Sequence, residues 1–336
     1  MQRKPPAGKG GELVRVGELD FIQKMAQAAA PRITKADEKL INKAVEVRQD
    51  DPDPEDLAYM ARELVQCTLP HSDPGQVPFW TRVNGNITLS IVSDFDPKTK
   101  KLVGYPYGSI PRLLLFWMTT EALRTGSRRL ELGSSYGGFL RDIGLDPNTG
   151  GGKRGDANRV RIQSRRLFTS RISFIQEETV GGMVGEARLH MNVASKSVLW
   201  WDPKKADQLT LFESWVELGE EFYQAITSAP VPVDLRALHA LKRSPLALDL
   251  YAWSTHKALS VARKGKPQFI PWKSLAEQFG ADYSNHLDFK RKAKEAFRKI
   301  QAVYPGLKLG DASGGLVVLP SSRPAIAPKP SRRALK

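Results

Sequence analysis

The chain has 336 residues and carries 51 lysines and arginines against 36 aspartates and glutamates, which gives a formal net charge of +15. A single hydrophobic core rarely fills such a length, so more than one domain is expected. No apolar run approaches the roughly 20 residues that a membrane span needs, so a soluble protein is expected. The charge favours a polyanionic partner but does not by itself distinguish nucleic acid from anionic lipid.

Cysteine content limits the possible sites and the compartment. Cys67 is the single cysteine, which excludes an internal disulfide framework and a multi-cysteine zinc site. The first residues are basic but contain no apolar stretch of signal-peptide length. We therefore expect a cytoplasmic protein.

The N-terminal part of the sequence predicts an arm followed by helices. Residues 1–30 mix proline, glycine and charge, which is typical of a flexible basic arm. Helical spacing of apolar residues predicts helices over 34–47 and 54–67, within a helical extension that covers 31–76. Alternating apolar residues around the pair Asn84-Gly85 then predict a β-hairpin with a type I′ turn.

Residues 77–213 show the element order of a winged helix and are predicted to form a first such domain. The predicted elements are a helix capped by Ser109 and ended near Gly126, a strand over 129–132, helices over 134–143 and 158–169, and paired strands over 172–176 and 188–193 around a turn at 180–185, the predicted wing. The third helix, NRVRIQSRRLFT, occupies the place of the element that enters the DNA major groove. One side of it should pack through the apolar positions Val160, Ser164, Leu167 and Phe168.

The opposite side of this helix is the predicted DNA-binding surface. Arg161, Arg165 and Arg166 suit guanine edges or phosphates, and Asn158 suits an adenine edge. Ile162 contacts either a thymine methyl group or a neighbouring domain, and both interpretations remain open. The remaining predicted contacts, mainly to phosphates, are Lys153, Arg154, Arg159, Thr169 and Arg171. On an arbitrary helix such arginines would form a solvated face or surface ion pairs, but the element order favours DNA.

Residues 214–320 repeat the same order and are predicted to form a second winged-helix domain. The predicted elements are a connecting strand and helix over 214–228, helices over 233–241 and from the cap Ser244 to 263, a strand over 269–271, helices over 272–279 and 284–304, and strands over 307–309 and 316–319. The predicted DNA-facing residues of the long helix are Ser284, Lys290, Arg291, Lys294 and Arg298. A solvated charged face is again the alternative. The tail 321–336 is basic and expected to be disordered, and both the tail and the wings are expected to contact phosphates.

No catalytic pattern is complete in the sequence. The segment NTGGGKRG differs from a P-loop, which requires glycine at Pro147 and serine or threonine at Arg154. The histidines lack the paired spacing of metal ligands. We therefore expect a protein that is not an enzyme and has neither a cofactor nor a metal site, with an origin-nicking enzyme as the less favoured alternative.

Several segments resemble the RepA-type plasmid replication initiators. They are GYPYGSIPRLLLFWMTTEALRTGSRRLELG, FLRDIGL, the arginine-rich third helix, VPVDLRALHALKRSPLALDLYAW, WKSLAEQFG, AVYPGLKL and GLVVLPS, within roughly 102–322. The resemblance implies a bacterial two-winged-helix initiator that binds repeated sites (iterons) in plasmid origin DNA, promotes local melting and recruits the host initiator and replicative helicase. It also implies an exchange between a homodimer and a monomer. The predicted fold is thus α+β, with two tandem winged-helix domains and a helical N-terminal extension; the alternative function is a winged-helix transcriptional repressor.

Overall fold

The computed structural model describes residues 34–149, 155–181, 183–200, 214–280, 283 and 285–326. The chain divides into two compact units, Met1–Lys39 and Leu40–Lys336, and the second contains nearly all of the described elements. Its described residues combine helices with β-strands, as an α+β fold requires. Among them, no helix has both the length and the apolar character needed to cross a membrane.

The first half of the fold contains the elements up to residue 200. The helices are α1 (Lys35–Gln49), α2 (Arg62–Gln66), α3 (Ser109–Thr125), α4 (Tyr136–Asp142) and α5 (Asp156–Phe168). The strands are β1 (Leu57–Ala61), β2 (Trp80–Asn84), β3 (Ile87–Val92), β4 (Phe95–Asp96), β5 (Lys101–Leu102), β6 (Arg129–Glu131), β7 (Arg171–Val180), β8 (Met183–Asn192) and β9 (Ala194–Val198).

The second half contains the described elements from residue 214 onward. The helices are α6 (Glu220–Ser228), α7 (Leu235–Leu241), α8 (Pro245–Lys264), α9 (Trp272–Phe279) and α10 (His286–Val303). The strands are β10 (Trp215–Leu218), β11 (Pro230–Asp234), β12 (Gln268–Pro271), β13 (Leu309–Ala312) and β14 (Gly315–Val318).

The described strands pair in antiparallel fashion, in the orders β1-β11, β2-β3-β7-β8, β4-β5, β6-β10-β9 and β12-β14-β13. In the second half, the strands β12, β13 and β14 form a sheet of their own, and they follow or alternate with the helices α8, α9 and α10 along the chain. The first half has the same order of elements from α3 to β8, but β6 pairs with β10, and the β7–β8 hairpin extends the β2–β3 hairpin instead. The two halves therefore differ in how their hairpins are supported.

Several predicted elements are confirmed. Helix α9 covers the predicted residues, and Ser244 caps α8, with its Oγ accepting a hydrogen bond from the backbone N–H of Ala247 at 3.2 Å. Helix α3 ends at Thr125 and its C-cap is the predicted Gly126, whose φ of +64° lies in the left-handed region that favours glycine. The connecting strand and helix after residue 214 are also present, as β10 and α6.

The predicted helix over 54–67 is wrong. The segment consists of a 3-10 turn (Pro54–Asp56), then β1 and the short α2. In β1, Leu57 lies opposite Asp234 and Ala61 lies opposite Pro230. The same pairing makes Pro230–Asp234 a strand, so α7 begins at Leu235 and the predicted helical start at residue 233 is also wrong. Apolar spacing suited a helix, but a strand partner far along the chain decided the conformation.

Turns and caps account for the other corrections. The turn between β2 and β3 is Gly85-Asn86, not Asn84-Gly85, because Asn84 lies opposite Ile87. Gly85 has a φ of +61° and Asn86 does not have a positive φ, the pattern of a type II′ turn and not of type I′. The N-cap of α3 is Gly108, so the predicted cap at Ser109 is wrong.

Both hairpins also differ in length from the prediction. Strands β7 and β8 pair from Arg171 opposite Asn192 to Val180 opposite Met183, so most of the predicted turn is strand. In the second half, β13 begins at Leu309, where the predicted strand ends, and pairs with β14 as far as Ala312 opposite Gly315. The first hairpin is therefore a long projection and the second is short.

A buried ion pair joins α3 of the first half to α8 of the second. The Nε and Nη2 atoms of Arg112 donate to the two carboxylate oxygens of Asp249 at 2.7 Å each, and both side chains are almost fully buried. The guanidinium also donates to the carbonyl oxygens of Leu69 and Pro70. His71 Nε2 lies 2.9 Å from Asp249 Oδ2. Burial alone would raise the pKa of Asp249, but the charge of Arg112 and these hydrogen bonds outweigh it and lower the pKa to about 2.

A second link joins the β2-β3-β7-β8 sheet to α9. Arg82 on β2 is 2% exposed and donates from Nη1 to the carbonyl oxygen of Gln278 at 3.0 Å. Gln278 donates in turn from Nε2 to the carbonyl oxygen of Gln66 at 2.8 Å. Together with the β1–β11 pairing, these contacts fix the two halves against each other, and hence α5 relative to α10.

Candidate nucleic-acid interface

Helix α5 is held by the apolar side that the sequence predicted. Val160, Ser164, Leu167 and Phe168 are all buried. Gln163 is buried too, and its Oε1 accepts a hydrogen bond from the backbone N–H of Tyr107 at 3.0 Å. The start of the helix is fixed by a further bond, from the hydroxyl of Tyr136 to the carbonyl oxygen of Ala157. Packing therefore determines which side of α5 faces outward.

The outward side carries most of the predicted DNA contacts. Arg161 and Arg165 are exposed, and Ile162 between them is 38% exposed, so the described residues do not bury it. Asn158 Oδ1 accepts from Arg161 Nη2 at 3.2 Å, so the amide and the guanidinium are preassembled on one turn. Arg159 forms an ion pair with Asp156 at 3.2 Å. Thr169 and Arg171, at the end of the helix and the start of β7, are also exposed.

Arg166 lies differently from the other predicted contacts. Its side chain is 18% exposed and pairs with Asp73 at 3.0 Å. The guanidinium lies over the ring of Tyr107, 5.2 Å from its centroid, and packs against Gly104 so closely that a Cβ there would lie 2.8 Å from Arg166 Nε. Gly104 also has a φ of +101°, a backbone conformation that favours glycine. Arg166 thus anchors the helix to the loop before α3, and no pattern in the sequence indicates that Asp73 is its partner.

Arg165 is held by a residue outside the helix. Its Nη2 lies 2.8 Å from Oδ2 of Asp96 at the end of β4, while the arginine side chain stays 59% exposed. The hydrogen bond from Arg165 lowers the pKa of Asp96, and the backbone N–H groups of Lys98 and Thr99 add to this effect. The pair is therefore charged at neutral pH, and the guanidinium is oriented without being covered.

Helix α10 repeats this two-sided design in the second half. Its predicted apolar residues are buried, namely Phe289, Ala293, Ala296, Phe297 and Ile300. The side chain of Asn285 caps the helix by accepting from the backbone N–H of Leu287 at 2.8 Å. The cap and the apolar face together fix the basic side toward the surface.

Each predicted contact on α10 has an identifiable environment. The ammonium groups of Lys290 and Lys294 lie 5.9 and 5.8 Å from the ring centroid of Trp272. Lys294 also lies 3.5 Å from Asp311 on β13, and Arg291 pairs with Asp288 at 2.6 Å. Arg298 is exposed. The outward side of α10 is therefore cationic. Its ion pairs lie at the surface, where a phosphate group can replace the carboxylate partner.

The remaining predicted contacts, Lys153, Arg154 and Ser284, lie outside the described residues. The predicted arm 1–30, residues 31–33 of the predicted extension and residues 327–336 of the predicted tail also lie outside them.

The hairpins that correspond to the predicted wings are not basic. In the first, Glu177 lies directly opposite Glu186, and the exposed side chains nearest the turn are Met183 and Val184. Arg188, further from the turn, pairs with Glu186. In the second, Asp311 is the charged residue of the two strands. Among the described residues, the ends of these hairpins thus offer no cation to a phosphate.

Two buried titratable side chains, Cys67 and His239, are held in their neutral forms. Within the described residues, no three histidine, cysteine or carboxylate side chains are arranged to hold a metal ion. Burial raises the pKa of Cys67 to about 11, so its thiol stays protonated and unreactive at neutral pH. Burial lowers the pKa of His239 to about 4, which keeps its ring neutral beside Gly144, where a Cβ would lie 2.2 Å from the ring.

Comparison with known proteins identifies the family. The family model described as "Plasmid encoded RepA protein" matches residues 105–274, just over half of the chain. No curated protein matches the sequence. Among solved structures, RctB domains 2-3 (TM-score 0.44) and selenomethionine derivatives of domains 2 and 3 of RctB (TM-score 0.46) are similar, each at 10% identity over 76% of this chain and 94% of theirs. By the family match, the chain belongs to the plasmid-encoded RepA proteins, a family of replication initiators.

Proposed function

We propose that the chain initiates plasmid replication by binding repeated sites (iterons) in the plasmid origin with α5 and α10. One observation carries the proposal: both helices follow the same order of preceding elements, bury an apolar side and present a cationic side. A basic, oriented helix in that position suits the major groove, where arginine reads guanine and asparagine reads adenine.

The proposed fold is a pair of winged helices. In the second half, the sheet order β12-β14-β13 after α8, α9 and α10 supports this assignment. In the first half, the order of elements supports it, while the pairing of β6 with β10 makes that half a variant in which the hairpin belongs to a larger sheet. The proposed domains remain 77–213 and 214–320.

The proposed mechanism is binding without catalysis. Because the Arg112–Asp249 ion pair and the Arg82–Gln278 contact fix the two halves, α5 and α10 meet the duplex as one rigid unit with a set spacing. Several copies on adjacent repeats would strain the neighbouring AT-rich DNA, whose flexible steps open readily. The melted segment would then receive the host initiator and replicative helicase. An exchange between homodimer and monomer would regulate the number of competent copies.

Footprinting tests this proposal. The supercoiled plasmid that encodes the chain should show protected direct repeats, and permanganate should detect unpaired thymines beside them when the host proteins are present. A single protected palindrome without melting would instead indicate a repressor. Incubation of the same plasmid with Mg²⁺ should leave its topology unchanged, whereas a nicked or covalently attached product would contradict the non-enzymatic mechanism.

A further inference from the structure

The short β4–β5 hairpin lies beside the candidate recognition helix α5 and belongs to neither predicted wing. The ion pair between Asp96 and Arg165 holds it against the last turns of the helix, at 2.8 Å. A second observation gives the same placement: β3, which leads into the hairpin, ends with Val92 opposite Arg171, directly after α5. Both the helix and the hairpin thus meet at the start of β7.

The hairpin supplies the cations that the two wings lack. Lys98, Lys100 and Lys101 are exposed, and none of them forms an ion pair with a carboxylate of the described residues. Its acidic residue Asp96 is already occupied by Arg165 and by the backbone N–H groups of Lys98 and Thr99, at 2.9 and 3.4 Å. Exposed lysines beside an arginine-rich helix form a surface for polyanions.

Asp96 also has an effect on the helix itself. An exposed arginine samples many rotamers, and fixing it costs conformational entropy when it binds. The Asp96 carboxylate fixes one branch of the Arg165 guanidinium and leaves the side chain 59% exposed, so the remaining N–H groups are available to a base edge.

We propose that the β4–β5 hairpin is a third DNA-contacting element: its three lysines bind backbone phosphates next to the groove that α5 enters, and Asp96 positions Arg165 for base recognition. The inference rests on the proposed function. It adds phosphate contacts from this hairpin to those of α5, in the place of contacts from the β7–β8 wing, and it makes Asp96 a positioning residue for specificity.

The lysines are tested by salt dependence with the full chain. Binding to a duplex containing the footprinted repeat, and to a scrambled duplex of equal length, is measured from 50 to 200 mM salt. For the triple substitution of Lys98, Lys100 and Lys101 to alanine, we expect both slopes to flatten by about 0.9 per lost phosphate contact, so the affinity lost over this range shrinks by about 40-fold for three contacts. The control removes equal charge at Arg263, Lys264 and Lys266, exposed residues around the end of α8.

The outcomes separate the inference from the proposed function. If the unaltered protein does not prefer the repeat, the proposed function fails, and with it the inference. If it prefers the repeat but the triple lysine variant has the same slope as the control variant, the inference is overturned while the proposed function stands.

Asp96→Asn tests positioning, because the two possible effects of the carboxylate have opposite signs. Removing a negative charge near phosphates should leave unchanged or raise affinity for the scrambled duplex. Loss of positioning should lower affinity for the repeat, so the preference should fall about tenfold, within the range of one arginine–guanine contact. In an Arg165→Ala background the same substitution should have no further effect on preference. Equal loss on both duplexes, or loss that persists without Arg165, would overturn the positioning role.

Discussion

Replacing Asp249 with asparagine should destabilise the protein strongly, because it leaves the Arg112 guanidinium buried without a counter-charge. The pKa of Asp249 lies at about 2, against an ordinary value of 3.8. At about 1.4 kcal/mol per unit, ionisation of this group therefore contributes about 2 to 3 kcal/mol to the free energy of unfolding at neutral pH. Breaking a buried ion pair from one side costs about 3 to 5 kcal/mol, a large share of the usual 5 to 15 kcal/mol.

Urea denaturation followed by tryptophan fluorescence measures this loss. The matched control is Glu121→Gln, which removes the partner of Arg124 on the same helix α3, where the arginine side chain is 70% exposed. That surface pair should contribute less than about 1 kcal/mol. The stability contributed by Asp249 is present above pH 4 and is lost as the pH falls through about 2, and the asparagine variant should lack this dependence. If Asp249→Asn costs no more than Glu121→Gln, the ion pair does not join the two halves as described.

Further predictions concern His239 and the two protein helices proposed to bind DNA, α5 and α10. The folded-state pKa of His239 is lowered to about 4 by burial and then by nearby lysines, so its contribution to stability is present above pH 6.5 and is lost as the pH falls. Between pH 7 and 5 this loss should be about 2 kcal/mol, and urea denaturation of His239→Gln should show a correspondingly smaller decrease; an unchanged decrease would be contrary to the assignment. Arg165→Ala should weaken binding to the selected repeat and relax base preference, whereas Lys294→Ala should cost similar affinity on every duplex, as judged by fluorescence anisotropy. If neither substitution alters binding, the groove assignment is wrong.

Sequence reasoning succeeded where local patterns determine the structure. Helix α9 has its predicted bounds, and α10 buries the predicted Phe289 and Phe297, because a 3.6-residue period and capping residues act within one segment. It failed for residues 57–61, which form a strand only because a distant segment pairs with them. Pairing between distant strands leaves no local period to read.

The candidate site was predictable to the same extent. The outward side of α5 followed from its buried side, since both depend on one helical period. The fixing of Arg166 by Asp73 and Tyr107 depends on loops brought together by the fold. The same is true of Asp96, which the fold places beside Arg165. The sequence therefore indicated which side chains of α5 face outward, and the fold determined which of them are fixed by contacts with other segments.

The most direct test of DNA-site recognition is selection of genomic and plasmid fragments by the purified chain at about 150 mM salt, where exposed charges are already substantially screened. We expect enrichment of tandem repeats beside an AT-rich segment. Recovery of fragments without any shared sequence would mean that the cationic sides of α5 and α10 attract DNA nonspecifically. That result would contradict the proposed function.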